Sequence, residues 1–212
     1  MKIAFINGSP KIKNSASACI LQELKAFLNQ DSNTIYEYSF KKPQLSIKEM
    51  QPLVECDVLV FAFPLYVDAI PSHLLSCLIQ LEMFFASIRE KDITVYSLVN
   101  CGFYEANQNH LAIEIMKNWC IRSGLKWGQG VGIGAGGMLP GLNNVPIGHG
   151  PKKNLEKALK WLSNNILKCT SEENIFITAN FPRVLYKVAA EMGWRQAIKE
   201  NGLKRKDLFL RK

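Results

Sequence analysis

The sequence predicts an α/β protein: a three-layer, doubly wound fold with a five-stranded parallel sheet in the order 2-1-3-4-5 and an extra helix near the C-terminus. Three observations carry this expectation. Short apolar runs of strand character alternate with stretches of helical periodicity, which implies parallel pairing through right-handed crossovers with helices on both faces. The run at 57–63 (DVLVFAF) is apolar on both sides, as a central parallel strand must be. A chain of 212 residues is long enough for one domain with a substantial core and too short for two comfortable ones.

The first unit is the most informative. Ile3, Ala4, Phe5 and Ile6 form a short apolar strand that Asn7-Gly8-Ser9-Pro10 must end, because Gly and Pro interrupt regular structure. Ile20, Leu21, Leu24, Phe27 and Leu28 then mark one face of a helix that Ser15 or Ser17 caps. The amides of its first turn face back into a loop that carries Ser9, Ser15, Ser17, Lys11 and Lys13, with no acid before Glu23. Such a loop suits an anion, and phosphate best.

Further along, 34–40 (TIYEYSF) reads as a partly exposed strand, followed by weakly helical or irregular sequence to Glu55. After the strand at 57–63, Pro71 opens a helix whose face is Leu74, Leu75, Leu78, Ile79 and Phe85. A strand at 93–99 leads through the loop 100–108 to a helix marked by Leu111, Ala112, Ile115, Met116 and Trp119. The fifth strand, 127–133, leads through a Gly- and Pro-rich loop to a helix marked by Leu155, Ala158, Leu159, Leu162 and Ile166. In a sheet of this order the ligand lies outside the carboxyl ends of the strands. The loops 8–17, 64–70 and 100–108 are therefore expected to converge.

Composition excludes several classes. No uncharged apolar run reaches the roughly 18 residues of a membrane span, and the chain enters strand sequence at once, so no leader and a cytoplasmic location are expected. The six cysteines are scattered, without the spacing of zinc, iron-sulfur or CxxC sites, and His73, His110 and His149 show no ligand spacing, so no metal is expected. Of the net charge of +8, the nine basic and three acidic residues from Arg183 onward supply +6. The basicity belongs to a terminal appendage, and no nucleic-acid partner is expected.

No Gly-Lys-Ser/Thr follows the first glycine, which argues against a nucleotide triphosphatase. The one GxGxxG match, Gly132 to Gly137, comes late and leads into Met-Leu-Pro-Gly rather than a helix, so it reads as a flexible, close-packed loop. One phosphate on a hydroxyl-rich loop, with two further loops offering backbone and aromatic surface, suits a mononucleotide such as FMN.

Gly8-Ser9-Pro10, Ser15-Ala16-Ser17, Pro64-Leu65-Tyr66 with Pro71, and Asn100-Cys101-Gly102-Phe103-Tyr104-Glu105 together resemble the three cofactor loops of the flavodoxin-like NAD(P)H-dependent FMN and quinone reductases. The resemblance spans residues 1–168, leaving 169–212 as a basic helical extension. It implies a flavodoxin-like fold in which Ser9, Ser15, Ser17 and the Ala16 amide hold the FMN phosphate. Pro64, Leu65, Tyr66 and Val67 would line one edge of the isoalloxazine, and Asn100, Cys101, Gly102 and Glu105 the other. Lys11-Ile12-Lys13-Asn14 departs from the glycine-rich version of the first loop, and the cysteine cluster of the iron-sulfur branch is absent.

The resemblance implies an oxidoreductase that passes hydride from NAD(P)H through the flavin to a quinone, free flavin or similar small-molecule acceptor, acting as a homodimer or homotetramer, with no side chain required as acid or base. The rival readings are a flavodoxin-type electron carrier, which a near-neutral core fits poorly, and an FMN-binding sensor module. Several residues have two readings. Tyr66 is a wall of the open flavin face or packing, Glu105 meets the pyrimidine edge or caps a helix, and Cys101 is a small contact residue or a redox thiol. The apolar stripe Val184, Leu185, Val188, Ala189 and Met192, with Arg183, Lys187, Arg195 and Lys204-Arg205-Lys206, packs on this subunit or a twin, or else touches anionic lipid.

Overall fold

Apolar runs at regular intervals supply the strands, and the computed structural model describes residues 1–29, 32–88, 91–204 and 206–207 of the chain. Arg205, Arg211 and Lys212 of the basic tail lie outside the described residues. In chain order the elements are β1 (Lys2–Asn7), α1 (Ala16–Leu28), β2 (Thr34–Ser39), α2 (Ile47–Val54), β3 (Val58–Pro64), α3 (Ser72–Ile88), β4 (Thr94–Asn100), α4 (His110–Arg122), β5 (Lys126–Ile133), α5 (Lys153–Lys168), β6 (Ile175–Ile177) and α6 (Arg183–Glu200). The chain divides into two compact units, Met1–Ala179 and Asn180–Lys212.

In the first unit the strands form one sheet in the order β2-β1-β3-β4-β5-β6, with every pairing parallel. Because successive side chains of a strand point to opposite faces, β1 feeds two cores. Ile3 and Phe5 join Ile20, Leu24, Leu159 and Leu162 of α1 and α5. Ala4 and Ile6 join Leu53, Leu74, Leu78 and Met116 of α2, α3 and α4. β4 is buried along its whole length. The helix faces read from sequence are buried in α5, whereas Leu75, Ile79 and Leu111 stand exposed. These three sit beside the buried stripe rather than in it, because α3 and α4 carry more apolar residues than one face can hold.

The sheet has six strands, not the five expected. Beyond residue 168, Cys169 turns left-handed (φ 50°) and closes α5, and the chain returns along β5. Side-chain anchors hold it there: the Gly130 amide donates to Asn174 Oδ1 at 2.8 Å, and Gln129 Nε2 to the Glu173 carbonyl at 2.6 Å. Ile175–Ile177 then pairs with Val131, Gly132 and Ile133. Three residues flanked by polar ones show no alternation from which a strand can be read.

The N-terminal edge of the sheet is held by Asp57, which accepts from the Lys2 amide at 2.7 Å and from Lys91 Nζ at 2.9 Å. Partial burial pushes its carboxyl up, but the Lys91 ammonium and the Lys2 amide together bring it below its ordinary value. A depressed carboxyl stabilises the fold above the unfolded pKa, about 3.9, and loses that contribution as pH falls through the lower folded value. Asp57→Asn is thus expected to lower the thermal midpoint at pH 7, with the difference from the parent shrinking and vanishing as pH falls through the depressed folded value in a pH series of melts.

In the second unit, α6 has no buried residue, and its turns are tied by an Arg195 to Glu191 ion pair at 3.0 Å. Val184, Leu185, Val188 and Met192 are all exposed, as is Trp194. Among the described residues no helix is long and apolar enough to cross a membrane.

Candidate functional site

The ladder of β1 continues one residue past the strand, where the Gly8 amide donates to the Ala62 carbonyl at 2.8 Å. There the chain leaves the sheet as a tight loop. Asn7 Oδ1 accepts from the Ser9 amide at 3.0 Å, and Ser9 Oγ from the Lys11 amide at 3.3 Å. Asn14 adopts φ 53°, a left-handed conformation that Asn tolerates better than most residues, and turns the chain into α1. Ser15 is the cap: its Oγ accepts from the Ala18 amide at 3.1 Å. Ser17 instead accepts from Asn100 Nδ2 at 2.9 Å. Of the two serines read as possible caps, one closes the helix and the other faces the neighbouring loops.

The loop after β3 leaves beside the end of β4, where the Leu65 amide donates to the Asn100 carbonyl at 2.8 Å. Tyr66 and Ala69 exchange two backbone hydrogen bonds of 3.1 Å, closing a turn whose central residues, Val67 and Asp68, have φ 51° and 56°. A β-branched residue is strained in that region. The turn lifts Val67 into solvent, 98% exposed, and leaves Tyr66 43% exposed beside the cleft.

The end of β4 and the start of the loop after it are two buried residues, Asn100 and Cys101. Asn100 Nδ2 also donates to the Phe63 carbonyl at 3.0 Å, so this one amide ties together the ends of β3 and β4 and the first turn of α1. Cys101 Sγ lies 3.7 Å from the carbonyls of Phe103 and Glu105 and accepts from Asn109 Nδ2 at 3.4 Å. Burial pushes its thiol above the ordinary value, so it is protonated at neutral pH.

The loop after β5 folds back over the loop after β4. The Ala135 amide donates to the Phe103 carbonyl at 2.6 Å, and the Gly136 amide to the Cys101 carbonyl at 2.8 Å. Ala135 is left-handed at φ 54°, and a 3₁₀ turn, Gly136–Gly141, follows. Leu139 of that turn is buried in the same core as Ile20, Leu21 and Leu24 of α1.

These four loops enclose a cleft of about 230 Å³ at the carboxyl ends of the strands. Of the residues expected from sequence, Ser9, Ala16, Ser17, Pro64, Leu65, Tyr66, Asn100, Cys101 and Gly102 line it. Ser15, Val67 and Glu105 do not: Ser15 lies behind as the cap, Val67 points out from its turn, and Glu105 precedes the 3₁₀ turn Ala106–Asn109. Lys11 joins the lining, as do Gly137 and Pro140. The last two come from the run read as a flexible loop; its glycine density was the available signal, but nothing in it pointed to the distant loops that it meets. The lining carries a lysine and hydroxyls and no carboxylate. A larger cleft, about 350 Å³, lies between α1 and β2, bordered by Phe5, Asn7, Leu21, Gln22, Glu37 and Ser39. Volume does not favour it, because its floor is core side chain, Glu37 is ion-paired with Lys25, and none of the expected residues lines it.

No protein-family model and no curated protein matches the sequence. Solved structures do match. An NADPH-quinone reductase from P. pentosaceus aligns with a TM-score of 0.56 at 13% identity, over 77% of this chain and 98% of its own. A WrbA-like flavodoxin from Agrobacterium tumefaciens aligns at 0.54 and 11% identity, over 80% and 98%. An FMN-dependent NADH-azoreductase from Bacillus anthracis, solved with FMN, aligns at 0.53 and 13% identity, over 78% and 99%. The first unit therefore has the flavodoxin-like fold.

Proposed function

We propose that this protein is an FMN-dependent oxidoreductase that passes hydride from NADH or NADPH to a quinone, free flavin or similar small acceptor. The observation that carries the reading is the cleft itself: nine residues from three separate stretches of sequence meet at the strand ends where ligands of open α/β sheets bind. The likeness in fold to a quinone reductase and to an azoreductase solved with FMN supports it.

The lining fits the group. Ser9, Ser17, the first-turn amides of α1 and the Lys11 ammonium offer hydrogen-bond donors and positive charge to a phosphate. Leu65 and Tyr66 offer an apolar wall to a ring, and Asn100, Cys101 and Gly102 the opposite edge. When bound, FMN supplies the acceptance and onward transfer of hydride. The chain's own work is to bind, to orient and to leave one ring face open beside the half-exposed Tyr66. Cys101, buried and protonated, serves as a small contact residue. Self-association as a homodimer or homotetramer belongs to the reading, supported by Leu75, Ile79 and Met83, exposed at four-residue spacing along α3.

The test is turnover. Purified protein given FMN, NADPH or NADH, and a benzoquinone is expected to oxidise many equivalents of pyridine nucleotide, followed by absorbance. Oxidation of no more than one equivalent per protein, or none, would favour an electron carrier or a sensor.

A further inference from the structure

We infer that the loop after β5 is a fourth ligand-contacting wall of the cleft, and that Gly137 on this loop and Gly102 opposite are glycines because a bound mononucleotide occupies the space their side chains would take. The inference rests on the FMN reading and adds a contact that none of the three expected loops supplies.

Glycines in a fold have several causes: close approach of the chain to itself, a left-handed backbone, or close approach of a ligand. A Cβ at Gly136 would come within 3.0 Å of Asn100 Cβ, and one at Gly134 within 2.2 Å of the Tyr104 carbonyl oxygen; at both, packing of the chain on itself demands a bare backbone. Gly148, Gly150 and Gly202 hold left-handed φ values of 85°, 48° and 72°, where glycine is favoured. Gly102 and Gly137 have neither cause. A Cβ at either would meet nothing within 4 Å, and neither has a left-handed φ. Gly141 and Gly193 share that freedom but do not line the cleft. At the two cleft positions the fold itself tolerates alanine.

Two contacts place Gly137 in the cleft. Its 3₁₀ turn packs through Leu139 on α1, the helix whose first turn carries Ala16 and Ser17. The residue before Gly137 is in turn tied to the loop after β4, since the Gly136 amide donates to the Cys101 carbonyl at 2.8 Å, so Gly137 stands between the first turn of α1 and the Cys101-Gly102 segment. The wall is fixed in place before any ligand arrives. The Gly134, Ala135 and Gly136 amides donate to the carbonyls of Ile177, Phe103 and Cys101, and Leu139 anchors the turn from below. A methyl group added to so rigid a wall cannot swing aside, so it must displace ligand atoms instead.

The experiment is to make Gly137→Ala and Gly102→Ala in the full chain and to measure the thermal midpoint without ligand and the affinity for FMN and for riboflavin by flavin fluorescence quenching. Both variants are expected to melt within about 2 °C of the parent, a change of the order expected when no contact is altered. Gly137→Ala is expected to bind FMN at least tenfold more weakly. The larger Gly137→Val is expected to weaken FMN further, and Gly102→Ala to weaken FMN and riboflavin alike. FMN affinity within twofold of the parent for Gly137→Ala would overturn the inference. So would a large fall in its ligand-free midpoint, since the glycine would then serve the fold. Failure of the parent to bind FMN would remove the functional reading itself, a result visible without any variant.

Discussion

Asn100→Ala is expected to weaken FMN binding by at least tenfold and to lower the stability of the protein by about 2 kcal/mol. The side chain is 4% exposed, and its amide donates to Ser17 Oγ at 2.9 Å and to the Phe63 carbonyl at 3.0 Å, while its own carbonyl receives the Leu65 amide at 2.8 Å. Alanine removes both side-chain donors but keeps the backbone bond. Each buried hydrogen bond lost is worth about 0.5–1.5 kcal/mol, and Ser17 also loses the bond that orients its hydroxyl beside the cleft. Asn100→Asp keeps the shape but places an acceptor, and at neutral pH a charge, against two oxygens. It is expected to bind FMN more weakly than the alanine variant does. Fluorescence titration and thermal denaturation of both variants check the order, and equal affinity in parent and alanine variant would show that this residue does not shape the site.

Gly134→Ala is expected to be the most damaging small substitution in the fold. The added methyl carbon would fall 2.2 Å from the Tyr104 carbonyl oxygen and 2.9 Å from the Ala106 nitrogen, both backbone atoms with no rotamer to change. The loops after β4 and β5 must then part. The same residue donates its amide to the Ile177 carbonyl at 2.9 Å, so the separation also pulls on β6. Overpacking of this kind costs about 3 kcal/mol, a fall in thermal midpoint of about 6–12 °C for a domain of this size. Thermal melts of Gly134→Ala and Gly137→Ala side by side provide the contrast. Three residues apart, one glycine is required by the chain and the other by its ligand. Equal midpoints would contradict that distinction.

Much of this was legible in the sequence because the information was local. Ile3 to Ile6, the Ser15 cap and the Ile20 to Leu28 stripe lie within one strand, loop and helix, and each residue signals its role to its neighbours. The cleft residues Ser9, Pro64 and Asn100 could be read because each directly follows or ends a strand, and parallel topology brings such ends together. What escaped depended on distant partners. The strand Ile175–Ile177 exists because Asn174 and Glu173 find Gly130 and Gln129 some forty positions away. Gly137 and Pro140 reach the cleft because Leu139 inserts into the core over α1, which no periodicity in GGMLPG announces. Val67 was misplaced for a local reason that sequence hides: two successive non-glycine residues take left-handed φ, and the turn they make carries Val67 away from its neighbour Tyr66.

The central claim is that the cleft at the strand ends holds riboflavin 5′-phosphate through the first turn of α1 and the loops around it. Calorimetric titration of the ligand-free protein with FMN, and in parallel with riboflavin, tests it most directly. One site per chain is expected, with FMN bound at least tenfold more tightly than riboflavin because only FMN carries the phosphate. Absence of FMN binding, or equal affinity for the two flavins, would contradict the claim.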